Sequence, residues 1–334
     1  MMAPAVPLLE LRGVSKRFVK ALDTVDRFSN LLGAGLQEEV VHAVDDVTLE
    51  IHAGEVVGLV GESGCGKSTL GRMAVGLHAL SAGSRWWKGQ RLGPQDTPRS
   101  RRELLALQMI FQDPYASINP RMRVQDIVGE APVAHGLVRA REVHPFVEHL
   151  LGRVGLDPSA MRRFPHQFSG GQRARIGIAR ALAVNPEFLV CDEAVAALDV
   201  SIQAQVLNLF IELRNELKLT YLFISHDLGV VRHVSDRVVI MYLGRVVESA
   251  SAQAIFEQPN HPYTQALLAS EPQLKVQKRV FVPVKGEIPS PLHPPGGCHF
   301  HPRCPSAMPV CAQQRPVLRS ISANHLSACH LNPP

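Results

Sequence analysis

The chain has 334 residues, 46% hydrophobic and 19% charged, with 35 Lys and Arg against 30 Asp and Glu for a formal charge of +5. At roughly 150 residues per domain this length suggests about two domains, and the composition excludes a disordered chain. No apolar run reaches the roughly 18–20 residues that span a bilayer, and Met1 to Pro7 lacks a basic segment leading into an apolar core, so a soluble, cytoplasmic chain is expected.

From the N-terminus, apolar runs predict strands at Leu8–Leu11, Val56–Val60, Leu107–Phe111, Phe188–Cys191, Tyr221–Ile224 and Val238–Met241. Helices are expected at Lys67–Val75, Gly171–Leu182, Ser201–Leu217 and from Ala254 through Phe256 onward. Strands alternating with helices define an α/β fold on a mostly parallel sheet. The stretch from Asp113 to Phe168 has no strong strand signal and is expected to be mainly helical. Four of the six cysteines and 11 of the 25 prolines fall between Phe281 and Pro334, which sets off a tail beginning at about Glu271. The expected division is a core of residues 1–112 and 169–270, a helical insert of 113–168 and a C-terminal extension of 271–334. No internal repeat stands out, which argues against a solenoid.

The strongest motif is Gly61-Glu62-Ser63-Gly64-Cys65-Gly66-Lys67-Ser68-Thr69, which satisfies G-x-x-x-x-G-K-[ST] between a strand and a helix. Glycines let the backbone curl so that successive N–H groups face one anion, and the new helix points its positive end at the same place. Lys67 is expected to bridge the β- and γ-phosphates of a nucleoside triphosphate, and the Ser68 hydroxyl to ligate Mg²⁺. A Gly-rich turn that matches by chance is the alternative, and the strand–loop–helix context speaks against it.

Asp192 and Glu193 emerge at the carboxyl end of a four-residue apolar strand, where α/β sheets bind ligands. Asp192 is placed to hold Mg²⁺, and Glu193, pointing elsewhere, to orient or deprotonate the attacking water. Taken alone, such a pair also fits a solvated loop or a helix cap. His226, in Ser225-His226-Asp227 after another strand, is either a structural histidine or a contact to the γ-phosphate. Ser169-Gly170-Gly171-Gln172, at the start of a helix, forms a second anion-binding terminus.

In this order the motifs resemble the ATP-binding subunit of an ATP-binding cassette (ABC) transporter: phosphate loop, Gln112, the Ser169–Gln172 signature, Asp192-Glu193, Asp199 and His226. The resemblance covers nearly the whole chain. It implies a P-loop NTPase core with an antiparallel β subdomain, and a head-to-tail dimer in which the signature of one subunit closes over ATP held by the other. It also implies that Gln112 senses Mg²⁺ and the attacking water, that the helical insert docks on membrane subunits, and that Phe18 stacks on adenine, with Phe28 also nearby. Phe111-Gln112-Asp113-Pro114-Tyr115-Ala116-Ser117-Ile118-Asn119-Pro120-Arg121 is similar to the peptide-permease branch, which imports dipeptides, oligopeptides and sometimes nickel; a Pro-bounded turn is its plain alternative.

The partners so implied are a second ABC ATPase, expected to be non-identical, two transmembrane permease subunits and an extracytoplasmic solute-binding protein. There is no nucleic acid among them, and the chain would lie peripherally on the cytoplasmic face of the inner membrane. A soluble ABC ATPase acting on nucleic acid or ribosomes is the alternative, against which the single cassette without a long coiled coil argues; a binder without turnover is opposed by Glu193 and His226. Phe168 replaces the usual Leu before the signature, and Ala194–Leu198 lacks the family's Pro, Thr and Ser. The stretch from Val19 to Val41 is long, with a surface hairpin or helix as its default.

Cys298, Cys304, Cys311 and Cys329 form the last constellation. Disulfides suit a reducing compartment poorly, and zinc ligands usually come in closer pairs. Four widely spaced thiolates suit an iron–sulfur cluster. Cys298-His299-Phe300-His301-Pro302-Arg303-Cys304-Pro305 resembles the extension of peptide-permease ATPases, some of which carry a [4Fe–4S] cluster, and that cluster is the expectation here. His299, His301, His325 and His330 leave a mixed His/Cys site open. Cys65 and Cys191 are expected to be packing residues.

Overall fold

The computed structural model describes residues 6–20, 38–93, 101–113, 117–270 and 286–332. Its largest feature is an eight-stranded sheet. Five strands run parallel in the order β9 (Arg237–Tyr242), β3 (Val56–Val60), β8 (Thr220–Ile224), β7 (Phe188–Asp192) and β6 (Leu107–Ile110). Every residue of β3, β7 and β8 is buried, which is why these strands read as unbroken apolar runs and not as alternation. Burial on both faces leaves the carboxyl ends of the strands as the place where polar chemistry can gather.

A second sheet is antiparallel, in the order β2 (Glu39–Ile51), β1 (Leu9–Lys20), β4 (Ala82–Trp87) and β5 (Gln90–Leu92). The helix α1 (Lys67–Val75) lies between the two sheets. Its Leu70 and Met73 share one core with Leu9, Leu11 and Ile51 of the antiparallel sheet and with Val57, Leu59 and Leu222 of the parallel one. The other face is covered by α5 (Gly170–Leu182) and α6 (Val200–Leu217), numbered after α2 (Arg101–Ala106), α3 (Val124–Ala134) and α4 (Val143–Arg153). Between residues 117 and 168 the regular elements are helical, α3, α4 and short 3₁₀ turns.

Two differences from the sequence expectations have clear causes. The first strand does not stop at Leu11 but runs on to Lys20, bent by bulges, and pairs through Phe18 with Val41 and through Lys20 with Glu39. Asp45 and Asp46 give β2 a polar look, and Asp46 sits at φ 54° where the register shifts. Residues 21–37, including Phe28, lie outside the described residues.

The second difference is in the tail, where the sequence marked no strand. Its hairpin β11 (Arg319–Ser322) and β12 (His325–Ser327) adds to the main sheet, β12 pairing with β10 (Arg245–Ser251), which in turn pairs with β9. The seam is sealed by Glu248, fully buried, whose carboxylate accepts from His325 Nε2 at 2.7 Å and from the backbone N–H groups of Asn260 and His261 at 2.8 and 2.9 Å. With three donors the buried carboxylate is satisfied. A chain segment too poor in apolar residues for its own core has borrowed an edge of the nucleus already present. The first 15 residues of the extension, 271–285, lie outside the described residues.

Candidate functional site

The phosphate loop leaves β3 at Val60 and turns into α1 at Lys67. Gly64 and Gly66 hold φ of +77° and +103°, and a Cβ on Gly66 would lie 2.0 Å from the Ala43 carbonyl oxygen. A Cβ on Gly61 would lie 2.1 Å from that of Met241. Only glycine fits there, because neighbouring backbone closes around the loop. Ser63 and Gly64 face solvent, Cys65 is buried as a packing residue, and Ser68 and Thr69 are half-buried on the first turn of the helix.

Lys67 is 5% exposed, and its Nζ donates to the Gly61 and Glu62 carbonyl oxygens at 2.7 and 3.0 Å. The loop therefore wraps its own cation. Ser68 Oγ donates to Asp192 Oδ1 at 2.7 Å, while Asp192 Oδ2 is buried without a partner. Burial raises the Asp192 carboxyl above its usual range, against the lowering effects of Ser68, Arg72 and Lys67. One hydroxyl, one carboxylate oxygen engaged and one oxygen orphaned is a donor set of hard oxygens that fits Mg²⁺.

Glu193 follows at φ 47°, a costly conformation for a non-glycine residue, pinned by its N–H donating to the Ile224 carbonyl at 3.0 Å. That twist turns its side chain away from Asp192's. Its Oε2 accepts from Gln112 Nε2 at 2.7 Å, and its Oε1 lies 3.3 Å from His226 Nδ1. Asp227 fixes the turn that presents His226: its side chain accepts from the Val230 N–H and caps α7 (Leu228–Val234). Three residues from the ends of three strands thus meet at one point beside the phosphate loop.

Ser169 and Gln172 form a capping box on α5: Ser169 Oγ accepts from the Gln172 N–H at 3.3 Å and Gln172 Oε1 from the Ser169 N–H at 3.1 Å. Ser169, Gly170 and Gln172 are exposed. Gly171 is buried, and a Cβ there would meet Ile202 Cγ2 at 2.3 Å, so the turn is clamped onto α6. Phe168 fills a buried position, with the Arg163 guanidinium 4.5 Å from its ring. Exposed Asp199 precedes α6, whose first residue, Val200, is 83% exposed. Phe18 is 39% exposed, its ring edge-on to His78 at 5.6 Å with the Lys16 ammonium 5.0 Å away.

In the tail, Cys298, Cys304, Cys311 and Cys329 are free thiols that line one small cavity. Burial, then the proximity of the other thiols, pushes Cys298 up to about 11. His299, His301, His325 and His330 each commit a ring nitrogen elsewhere, to Leu243 O, Cys298 O, Glu248 and Gln314 O. Among the described residues no group of three or more His, Cys, Asp and Glu side chains stands ready for a metal ion.

Sequence reasoning missed one set of contacts. Arg303 of the tail donates two hydrogen bonds to the carboxylate of Glu62 in the phosphate loop, at 2.7 and 2.9 Å, and Tyr263 Oη accepts from the Glu62 N–H at 2.9 Å. These partners lie 241 and 201 residues from Glu62, and no local signal joins them.

Residues 44–196 match the ABC transporter family, and residues 247–311 match the oligopeptide/dipeptide transporter C-terminal region. The chain is 49% identical over 331 residues to the oligopeptide transport ATP-binding protein AppF of Bacillus subtilis, covering 97% of both chains. It is 46% identical over 300 residues to OppF of Salmonella typhimurium, covering 88% of this chain and 90% of that one. Among solved structures, cbiO1 from Clostridium perfringens, part of an ABC transporter complex, superposes with a TM-score of 0.59 at 25% identity over 75% of this chain and 91% of that one. The dimeric bacterial ABC transporter cassette MJ0796 shares the fold, with a TM-score of 0.60 at 24% identity over 73% of this chain and 98% of that one.

The fold is that of an ABC ATPase. The chain belongs to the ABC transporter family, in the branch of oligopeptide transport ATP-binding proteins. No described helix is long and apolar enough to cross a membrane.

A prediction follows from the half-satisfied carboxylate. Its raised native pKa means that Asp192 favours folding below the unfolded value of 3.8 and loses that contribution as pH rises through the native value. At neutral pH, Asp192→Asn should therefore raise the melting temperature of the nucleotide-free chain by about 1–3 °C, while Mg²⁺-dependent ATP hydrolysis by the transporter is lost. Differential scanning calorimetry and a phosphate-release assay check the two halves.

Proposed function

We infer that this chain is the ATP-hydrolysing subunit that energises import of dipeptides or oligopeptides. The observation that carries this is the convergence of Gln112, Glu193 and His226 beside the Ser68–Asp192 pair, in a chain aligned along 97% of its length with an oligopeptide transport ATP-binding protein.

In this reading the backbone of Gly61, Ser63, Gly64, Cys65 and Gly66, with Thr69, cradles the phosphates of ATP, and Phe18 offers its open face to adenine. Lys67 trades the carbonyls of Gly61 and Glu62 for phosphate oxygens. Ser68, Asp192 and Gln112 hold Mg²⁺, which when bound neutralises charge on the phosphates. Glu193, already fixed by Gln112, accepts the proton of the attacking water, and His226 steadies Glu193 and reaches the γ-phosphate. Solvent-facing Ser169, Gly170 and Gln172, with Gly171 beneath them, cover the ATP of a second, non-identical ATPase subunit. Closure then depends on the γ-phosphate, and hydrolysis releases it.

The helical piece within 113–168 docks on two permease subunits supplied by an extracytoplasmic binding protein, which places the chain on the cytoplasmic face of the inner membrane. Residues 114–116 of the peptide-permease-like segment lie outside the described residues. Residues 1–112 and 169–270 act as the ATPase core and 271–334 as an extension that has joined its sheet. In that extension Cys298, Cys304, Cys311 and Cys329 hold a [4Fe–4S] cluster. Convergence of four thiols on one cavity supports this.

Glu193→Gln should leave ATP binding by the assembled transporter within about threefold of wild type and lower steady-state hydrolysis by at least about 100-fold. Unchanged turnover would remove Glu193 from this role. Protein purified without oxygen should be brown, with visible absorption lost when Cys298 and Cys304 are both changed to Ser. Colourless protein with one equivalent of zinc would refute the cluster.

A further inference from the structure

Glu62 occupies a variable position of the phosphate-loop motif, yet each of its polar groups is held. Its carbonyl accepts from Lys67, its N–H donates to Tyr263 Oη, and its carboxylate takes both arms of the Arg303 guanidinium. The Arg303 side chain is 5% exposed and that of Glu62 21%, so the pair is largely out of water and in the two-pronged geometry that makes such bonds strong. Arg303 is itself fixed. Its Nη1 also donates to Tyr242 Oη at 3.3 Å, and its guanidinium lies 5.8 and 6.0 Å from the rings of Tyr242 and Phe300. Tyr242, Tyr263 and Phe300 pack on one another with centroids 4.6–5.3 Å apart, all buried.

The loop needs outside support. Gly61, Gly64 and Gly66 give it the freedom to curl but also the largest entropy to lose on ordering. Inside the loop, Lys67 donates to the Gly61 and Glu62 carbonyls and the Cys65 N–H to the Glu62 carbonyl at 3.3 Å; a triphosphate that draws Lys67 away leaves only the longer of these. The bonds from Tyr263 and Arg303 come from elsewhere in the chain and do not involve Lys67.

We propose that Arg303, with Tyr263, is a positioning residue of the ATP site: it holds the phosphate loop in its binding shape through Glu62 and makes the tail's Cys298–Cys304 loop a working part of that site. Arg303 touches no substrate; it sets how much of the ordering cost remains when ATP binds. The proposal rests on the ATP-binding reading and not on what the four thiols hold.

The test is a double-mutant cycle on the full chain in the assembled transporter, with Arg303→Ala, Glu62→Gln and both together, read by binding of a fluorescent N-methylanthraniloyl ATP and by hydrolysis. Each single change should raise the Kd and the KM for ATP about tenfold with kcat within about twofold, and the double change should add little to either. Arg303→Lys, which keeps the charge but not the fork, should fall between. A tail loosened for purely structural reasons would lower stability without coupling to Glu62→Gln, so additive effects, or an Arg303→Ala Kd equal to wild type, overturn the proposal. If Arg303→Ala does not assemble, Arg303→Lys and Arg303→Gln carry the same cycle, and additivity there overturns it equally. Lys67→Ala is the control: wild type and Lys67→Ala binding the probe alike would refute the ATP-site reading itself, and this proposal with it.

Discussion

A lysine ammonium with almost no access to water must be solvated by something else, and here the phosphate loop solvates it with its own carbonyls. Burying an unpaired cation costs several kcal/mol, and the Gly61 and Glu62 carbonyls offset that cost. Across from it, Asp192 is a buried carboxylate with one oxygen satisfied by Ser68 and one by nothing. A lysine held by backbone carbonyls and a carboxylate with one oxygen free of hydrogen bonds stand at the carboxyl ends of the same fully buried parallel strands. In the reading proposed above, a polyanion that arrives with a divalent metal satisfies both groups.

The fold serves that constraint by carrying distant residues to one place. Gln112, Asp192, Glu193 and His226 follow three neighbouring strands, or lie at their ends, in one parallel sheet, and register alone sets them side by side. The same sheet reaches the tail on its other side, through β9, β10 and β12. Glu248 with His325 closes that edge, and Glu62 with Arg303 joins the tail to the loop. The extension meets the rest of the chain at these two contacts, with the aromatic cluster of Tyr242, Tyr263 and Phe300 packed between them.

Features carried by consecutive residues were legible in the sequence. The phosphate loop, the Asp192-Glu193 strand end, the Ser169 turn and the apolar runs of the parallel strands each announce themselves within ten residues or fewer, since strand burial on both faces leaves no alternation to misread. The antiparallel sheet was harder. Bulges in β1 and paired aspartates in β2 break the periodicity that marks a half-buried strand. The hairpin of the tail and the Arg303–Glu62 bond were out of reach because long-range pairing leaves no local trace. Arg303 within the Cys298–Cys304 run looks like any surface arginine until the loop it grips is in view.

The most direct test is a structure of the whole transporter with a non-hydrolysable ATP analogue. The account predicts that Lys67 leaves the carbonyls of Gly61 and Glu62 for the triphosphate tail, with the Ser-Gly-Gly turn of the other ATPase subunit over the same phosphates. Nucleotide bound elsewhere, or a covering turn remote from a filled loop, would contradict it.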